Sequence, residues 1–162
     1  MRAALPVLFA VALASGCGSS PAPPVAQAAP RTSPPPPRAA VALVRPSPPA
    51  GCRGVQACVD TATSTAWLMH GSSVVAGPLV VSLGGPGHPT PRGTFAVAWK
   101  DQVHTSSTYG IPMPWSVFFA PGGIAFHEGD VRSASHGCVH LRHADAVLVF
   151  SRLARGDAVR VL

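Results

Sequence analysis

Residues 124–142 read IAFHEGDVRSASHGCVHLR, and the reading of the whole chain works outward from them. They hold a lone cysteine, Cys138, inside Ser135-His136-Gly137-Cys138. A histidine, His127, lies eleven residues upstream at the end of the apolar run Ile124-Ala125-Phe126. A thiol attacks as its thiolate, so a nucleophilic cysteine needs a base or a positive neighbour. His127 can be that base. Backbone N–H groups of His136 and Gly137 can approach the sulfur, where an oxyanion would form. The competing reading is a small buried cysteine with chance histidine neighbours.

Around this stretch, residues 51–162 read mainly as strands. Ala57 to Asp60 is short and apolar. Thr65 to His70 and Ser73 to Leu83 are joined by Gly71-Ser72, a hairpin turn. Gly93 to Trp99, Ser116 to Phe119, Ile124 to His127 and Ala158 to Leu162 follow, with a turn over 120–123. Asp101 to Ser107 reads as a polar loop. Tyr109 to Trp115, apolar and holding two prolines, reads as a groove wall or as plain packing. Only Arg142 to Leu153 has helical spacing, through Ala146, Val149, Phe150 and Leu153. Many short strands and one helix predict a mostly β sandwich with one helix after Cys138.

Composition divides the chain into three segments. Residues 1–17 have a basic start and an apolar core too short to span a membrane as an ordinary helix, which fits a secretory signal peptide. Its end, Leu13-Ala14-Ser15-Gly16-Cys17, resembles a bacterial lipoprotein processing site, so Cys17 is the expected lipidation site. Plain secretion with cleavage nearby is the alternative. A cysteine with two or three acyl chains anchors stably where one chain is marginal. In residues 18–50, eleven of 33 positions are proline, which excludes a packed core and predicts an extended tether of up to about 100 Å. Residues 51–162 are long enough for one domain.

The formal charge is +6. Four arginines and no acids fall in residues 1–50, leaving +2 on residues 51–162. No basic run or helical stripe is present, so nucleic acid is not an expected partner. Cys52 and Cys58 are expected to pair as a disulfide in an oxidising compartment; in a cytosol they would read as half a metal site. Leader, anchor and tether together predict an extracytoplasmic domain, lipid-anchored to the plasma membrane or secreted to the wall.

The string His127 … Ser135-His136-Gly137-Cys138-Val139 resembles the active-site signature of the L,D-transpeptidase catalytic domain. Ser82-Leu83-Gly84, followed by Thr90-Pro91-Arg92-Gly93-Thr94-Phe95, resembles that family's strand–loop–strand element. Cys58-Val59-Asp60 with Ala66-Trp67-Leu68 resembles its first hairpin. The resemblance covers nearly all of residues 57–162. It implies an L,D-transpeptidase-type β-sandwich acting on peptidoglycan stem peptides without cofactor or metal. Cys138 would attack the carbonyl of the third stem residue, expel D-alanine and hold the stem as a thioester. An amine of a neighbouring stem would then form a 3→3 cross-link. His127 would be the base, oriented by the backbone carbonyl of Glu128. Backbone N–H groups of His136, Gly137 and Cys138 would hold the oxyanion, in an active-site loop formed by Ser135, His136 and Gly137. His140, Arg142, Tyr109 and Trp115 are the expected substrate contacts, and carbapenem-type β-lactams are expected to acylate Cys138.

Two features depart from the family pattern: a short spacer between His127 and Ser135, and His140 where arginine or asparagine is usual. The rival readings are a zinc hydrolase built on His127, His136, His140, His143 and Cys138, a cysteine peptidase or amidase of wall peptides, and a lipoprotein that only binds the wall.

Overall fold

The computed structural model describes residues 47–162. The leader 1–17, Cys17 and residues 18–46 of the expected tether lie outside the described residues. After a single 3₁₀ turn at Ala50–Cys52 come nine strands and one helix. The strands are β1 (Ala57–Asp60), β2 (Thr65–His70), β3 (Ser73–Val80), β4 (Gly93–Ala96), β5 (Trp99–Thr105), β6 (Pro112–Ala120), β7 (Ile124–Glu128), β8 (Val139–Leu141) and β9 (Ala158–Val161); the helix α1 spans His143–Arg152, between β8 and β9.

The strands form two sheets, one ordered β3-β2-β1-β9-β4 and the other β5-β6-β7-β8. Neighbouring strands are antiparallel except for two parallel pairs, β1 with β9 and β7 with β8. The first strand thus pairs with the last. This is the mostly β, one-helix architecture expected from the strand spacing.

Side chains alternate across a strand, and the sequence uses this alternation to build the core. Ala57 and Val59 of β1, Ala66 and Leu68 of β2, and Val159 and Val161 of β9 enter one buried cluster from the first sheet. Val117 and Phe119, Phe126, and Val139 and Leu141 enter it from the second. The helix adds Ala146 and Val149, with Leu153 just past its end. Lys100 closes that end of the helix. Its ammonium donates to the carbonyls of Phe150 and Leu153 and lies 4.4 Å from the centre of the Phe150 ring. A cation on the last free carbonyls satisfies acceptors that the helix itself cannot.

The opposite face of the first sheet is covered by the N-terminal segment. Cys52 and Cys58 are disulfide-bonded, with Cα atoms 5.3 Å apart, and both are buried with Val55, Trp67 and Met69.

Three expectations are corrected here. Residues 101–107 are not a loop: most of them lie in β5, where Asp101, Val103, His104 and Thr105 pair with β6. Their polar sequence hid the strand. The run Gly93 to Trp99 is not one strand but a corner between sheets. The Val97 N–H still donates to Asp157, beside β9, whereas the Ala98 N–H donates to Phe118 of β6. The strand starting at Ser73 ends at Val80 rather than Leu83; beyond it isolated bridges join Ser82 to His140 and Gly84 to Ser135.

Candidate active site

The face of the second sheet turned away from the core carries the cysteine and the histidines. Because Phe126 points into the core, Ala125 and His127 point outward. Because Val139 and Leu141 point into the core, Cys138 and His140 point outward beside them. His127 and His140 are direct register partners across the β7–β8 pair. Cys138 packs against Met113, Phe118 and Ala125 on this face. Cys138, His127 and His140 share one cleft of about 650 Å³ with Ser135, His136, Tyr109, Ile111, His104 and Gly123, among others. That size lies within the range of sites for small organic ligands.

His127 is 3 % exposed. Its Nδ1 lies 2.7 Å from the Glu128 carbonyl oxygen. With that oxygen accepting, Nδ1 carries the proton and Nε2 keeps the lone pair, the tautomer a general base requires. Burial pushes its pKa down to about 4 against the pull of the Glu128 carbonyl, and the His140 and His104 rings lower it further. His127 is therefore neutral at physiological pH. Burial pushes the Cys138 thiol up from its ordinary value, and its Sγ lies 3.7 Å from the Gly123 carbonyl oxygen. These shifts favour a resting thiol and a neutral imidazole over thiolate and imidazolium, a state in which an attacking sulfur would first have to give up its proton.

A buried neutral histidine makes stability depend on pH. The unfolded chain binds this proton near pH 6.5 and the folded chain only near pH 4. Between these values the unfolded state holds more protons, so stability falls as pH drops through that window, by about 3 kcal/mol for this group. Urea midpoints measured at pH 7 and pH 4.5 should show the fall, and His127→Asn should flatten it. An equal fall in both proteins would assign the effect to other groups.

The loop that carries Cys138 is held by Ser135. Its hydroxyl donates to the Cys138 carbonyl at 2.6 Å and accepts from the Gly137 N–H at 3.0 Å. Its backbone N–H donates to Leu83 and its carbonyl accepts from Gly85. Gly137 has φ of +114°, a conformation glycine adopts without strain. Ser135→Ala would leave two buried backbone groups unpaired, a cost of about 1–3 kcal/mol. The expected result is a lower urea midpoint together with slower labelling of Cys138 by an acylating β-lactam; an unchanged midpoint would show that the hydroxyl does not hold the loop.

The expected site residues separate on this geometry. The Gly137 N–H is committed to Ser135, which removes it from the expected oxyanion donors and leaves those of His136 and Cys138. The His136 ring stacks on Tyr109 with centroids 4.4 Å apart, at the rim of the cleft, and the His88 ring lies 5.3 Å from it, tilted. Tyr109 therefore borders the site. Trp115 does not: it packs on Phe150 and His143 of the helix, at 5.4 and 6.3 Å. Its φ of +59° breaks the alternation of β6 between Met113, on the cleft face, and Val117, in the core. Arg142 is exposed at the helix boundary and does not line the cleft. Among the described residues, no group of three or more His, Cys, Asp or Glu is placed to hold a metal ion; His143 is engaged with the Glu128 carboxylate at 2.7 Å.

The sequence reading missed His104 and Phe118. Both line the cleft, and Phe118 stacks on Trp99 at 3.8 Å with His104 edge-on to both rings. Strict alternation from Trp99 would put His104 on the opposite face, so the polar sequence of β5 carried no signal for this cluster.

Residues 54–161 match the profile of the YkuD family, the L,D-transpeptidase catalytic domain. The chain belongs to this family. A curated relative named "Probable L,D-transpeptidase 3", from Mycobacterium tuberculosis, is 28 % identical over 104 residues, covering 52 % of this chain and 38 % of its own length. The crystal structure of an L,D-transpeptidase from Stackebrandtia nassauensis superposes with a TM-score of 0.62 at 29 % identity, over 65 % of this chain and 54 % of that one. A further L,D-transpeptidase, solved in complex with imipenem, gives a TM-score of 0.59 at 23 % identity, over 65 % and 57 % of the two chains. This L,D-transpeptidase domain thus spans from under two-fifths to just over half the length of these relatives.

Proposed function

We propose that this domain is a cysteine acyltransferase that cross-links peptidoglycan stem peptides. The observation that carries the reading is the placement of Cys138 and His127 on one face of adjacent strands, with the His127 tautomer fixed by the Glu128 carbonyl. In the first half-reaction the Cys138 Sγ attacks the carbonyl carbon of the third stem residue while His127 takes the thiol proton. The carbon–nitrogen bond to D-alanine breaks, and His127 returns the proton to the departing amine. Backbone N–H groups of His136 and Cys138 are the donors available to the oxyanion. In the second half-reaction an amine attacks the thioester and the Cys138 thiol is regenerated. A water in place of the amine would make the same site a hydrolase.

The extracytoplasmic location belongs to the same proposal. It is supported by the Cys52–Cys58 disulfide and by the leader-like sequence of residues 1–17, with a lipid anchor at Cys17. The imipenem complex of the relative supports acylation of Cys138 by carbapenem-type β-lactams here.

The test is intact-mass analysis of the protein incubated with a disaccharide–tetrapeptide, with Cys138→Ala alongside. A thioester with loss of D-alanine, or a cross-linked dimer, appearing only with Cys138 present is the expected result. Folded protein that gives neither adduct nor product, with the tetrapeptide or with imipenem, would overturn the reading.

A further inference from the structure

We propose that His140 is a second proton acceptor in this cleft, taking the proton that an incoming ammonium must lose before its nitrogen attacks the thioester on Cys138. The inference rests on the transpeptidase reading and concerns its second half-reaction. An amine of ordinary basicity arrives protonated at neutral pH and has no lone pair with which to attack. His127 is committed to the proton that travels between Cys138 and the substrate nitrogen, so the extra proton needs another acceptor.

His140 is built to be one. Alternation along β8 puts it on the same face as Cys138, two residues away, and register puts it directly beside His127. The two rings meet edge to face, 4.7 Å apart. Its backbone is fixed on the outer side by two hydrogen bonds to Ser82, at 2.8 and 3.1 Å. Gly129 lies against the ring, so close that a Cβ there would stand 2.7 Å from Cγ. Nδ1 faces the Asp130 carbonyl oxygen at 3.3 Å. One short segment therefore fixes both tautomers: the carbonyl of residue 128 serves His127 and that of residue 130 serves His140, leaving Nε2 as the basic nitrogen of each. His140 is half-buried, whereas His127 is almost sealed.

The charged and titratable groups facing His140 are few. His127 faces it from β7. The Asp130 carboxylate lies in the following turn, where it is engaged by Arg132 and Ser133. His136 and Cys138 face it from its own segment, and the Ser82 side presents only backbone and a hydroxyl. Burial and the His136 ring lower the His140 pKa, against the pull of Asp130, which keeps the ring neutral and ready to accept a proton at neutral pH. The step balances: the ammonium N–H bond breaks, its proton passes to Nε2 of His140, and the freed electron pair forms the new bond to the thioester carbon. His127 then carries the second proton from nitrogen to the departing sulfur, and His140 releases its proton to solvent.

The experiment compares His140→Asn and His140→Gln with the unaltered protein. Thioester formation and transfer are followed separately by mass, from pH 6 to pH 10. Two acceptors are used: an ordinary primary amine, and hydroxylamine, which is largely deprotonated at pH 7. With the ordinary amine the ratio of transfer to acylation at pH 7 should drop tenfold or more, and the transfer profile should move at least one pH unit alkaline. The loss should be at least tenfold smaller with hydroxylamine. Equal losses with both acceptors and an unmoved profile would reduce His140 to packing and overturn the proposal. Absence of any thioester in the unaltered protein would instead count against the transpeptidase reading itself.

Discussion

Replacing His127 with asparagine is expected to lower the rate of Cys138 acylation at pH 7 by about 10² to 10⁴, the range that a positioned general base supplies. The thiol is held above its ordinary value by burial, so without a base the thiolate is a minor species at pH 7. With His127 present, proton transfer within the pair replaces that rare ionisation. The pH profile distinguishes the two situations. The unaltered enzyme should acylate at a rate that rises as His127 loses its proton, near pH 4, and then stays level through neutrality. The asparagine variant should rise about tenfold per pH unit from pH 6 to pH 9, following the free thiolate. Imipenem is a suitable acylating agent because its addition is read directly as mass. A variant that kept the level profile, or lost less than tenfold at pH 7, would show that His127 is not the base. Thermal unfolding of the variant must be measured alongside, since the imidazole it replaces is almost fully buried.

How far the sequence revealed this molecule depended on how apolar each element is and how clearly it ends. β1 and β2 were legible to the residue, because each is a short apolar run, buried on both faces, that ends at a turn. The helix was legible within one residue at each end, because Ala146, Val149 and Leu153 recur at its period. β5 was not, because its hydrogen bonds are made by polar residues on an edge with an exposed face; Val103 is 83 % exposed. β8 is only three residues long; no periodicity can be read from that length, and its pairing with β7 is set by tertiary structure. The same limit applied to the site. Cys138 and His127 stood out by residue chemistry and spacing and Ser135 by the resemblance, and the structure gathers all three around one cleft. That Gly137 spends its N–H on Ser135, and that Trp115 faces the helix, are consequences of two local backbone conformations with positive φ. Neither conformation has a signature in composition.

The second large effect is expected not at a chemical group but at a glycine. Gly84→Ala should destabilise the domain by about 3 kcal/mol or more, the upper end of what overpacking costs, whereas the neighbouring Gly85→Ala should cost about 1 kcal/mol or less. A Cβ on Gly84 would stand 2.0 Å from the His88 carbonyl oxygen, 2.7 Å from the Thr90 nitrogen and 2.8 Å from the Gly137 Cα. All three are backbone atoms, so no rotamer change relieves the clash. On Gly85 the only contact is the Ala134 Cβ at 3.0 Å, a side chain that can yield by a few tenths of an ångström. Gly84 is also where the first motif touches the second: its N–H donates to Thr90 Oγ1 at 2.9 Å, and it bridges to Ser135. Moving its backbone moves Gly137 and hence the Cys138 loop. The expected observation is therefore a double one. Gly84→Ala should lower the melting temperature by about 10 °C or more, and what remains folded should react with imipenem far more slowly than Gly85→Ala does. If the two alanine variants melted and reacted alike, the close approach of residues 84, 88 and 137 would not be what holds the nucleophile in place.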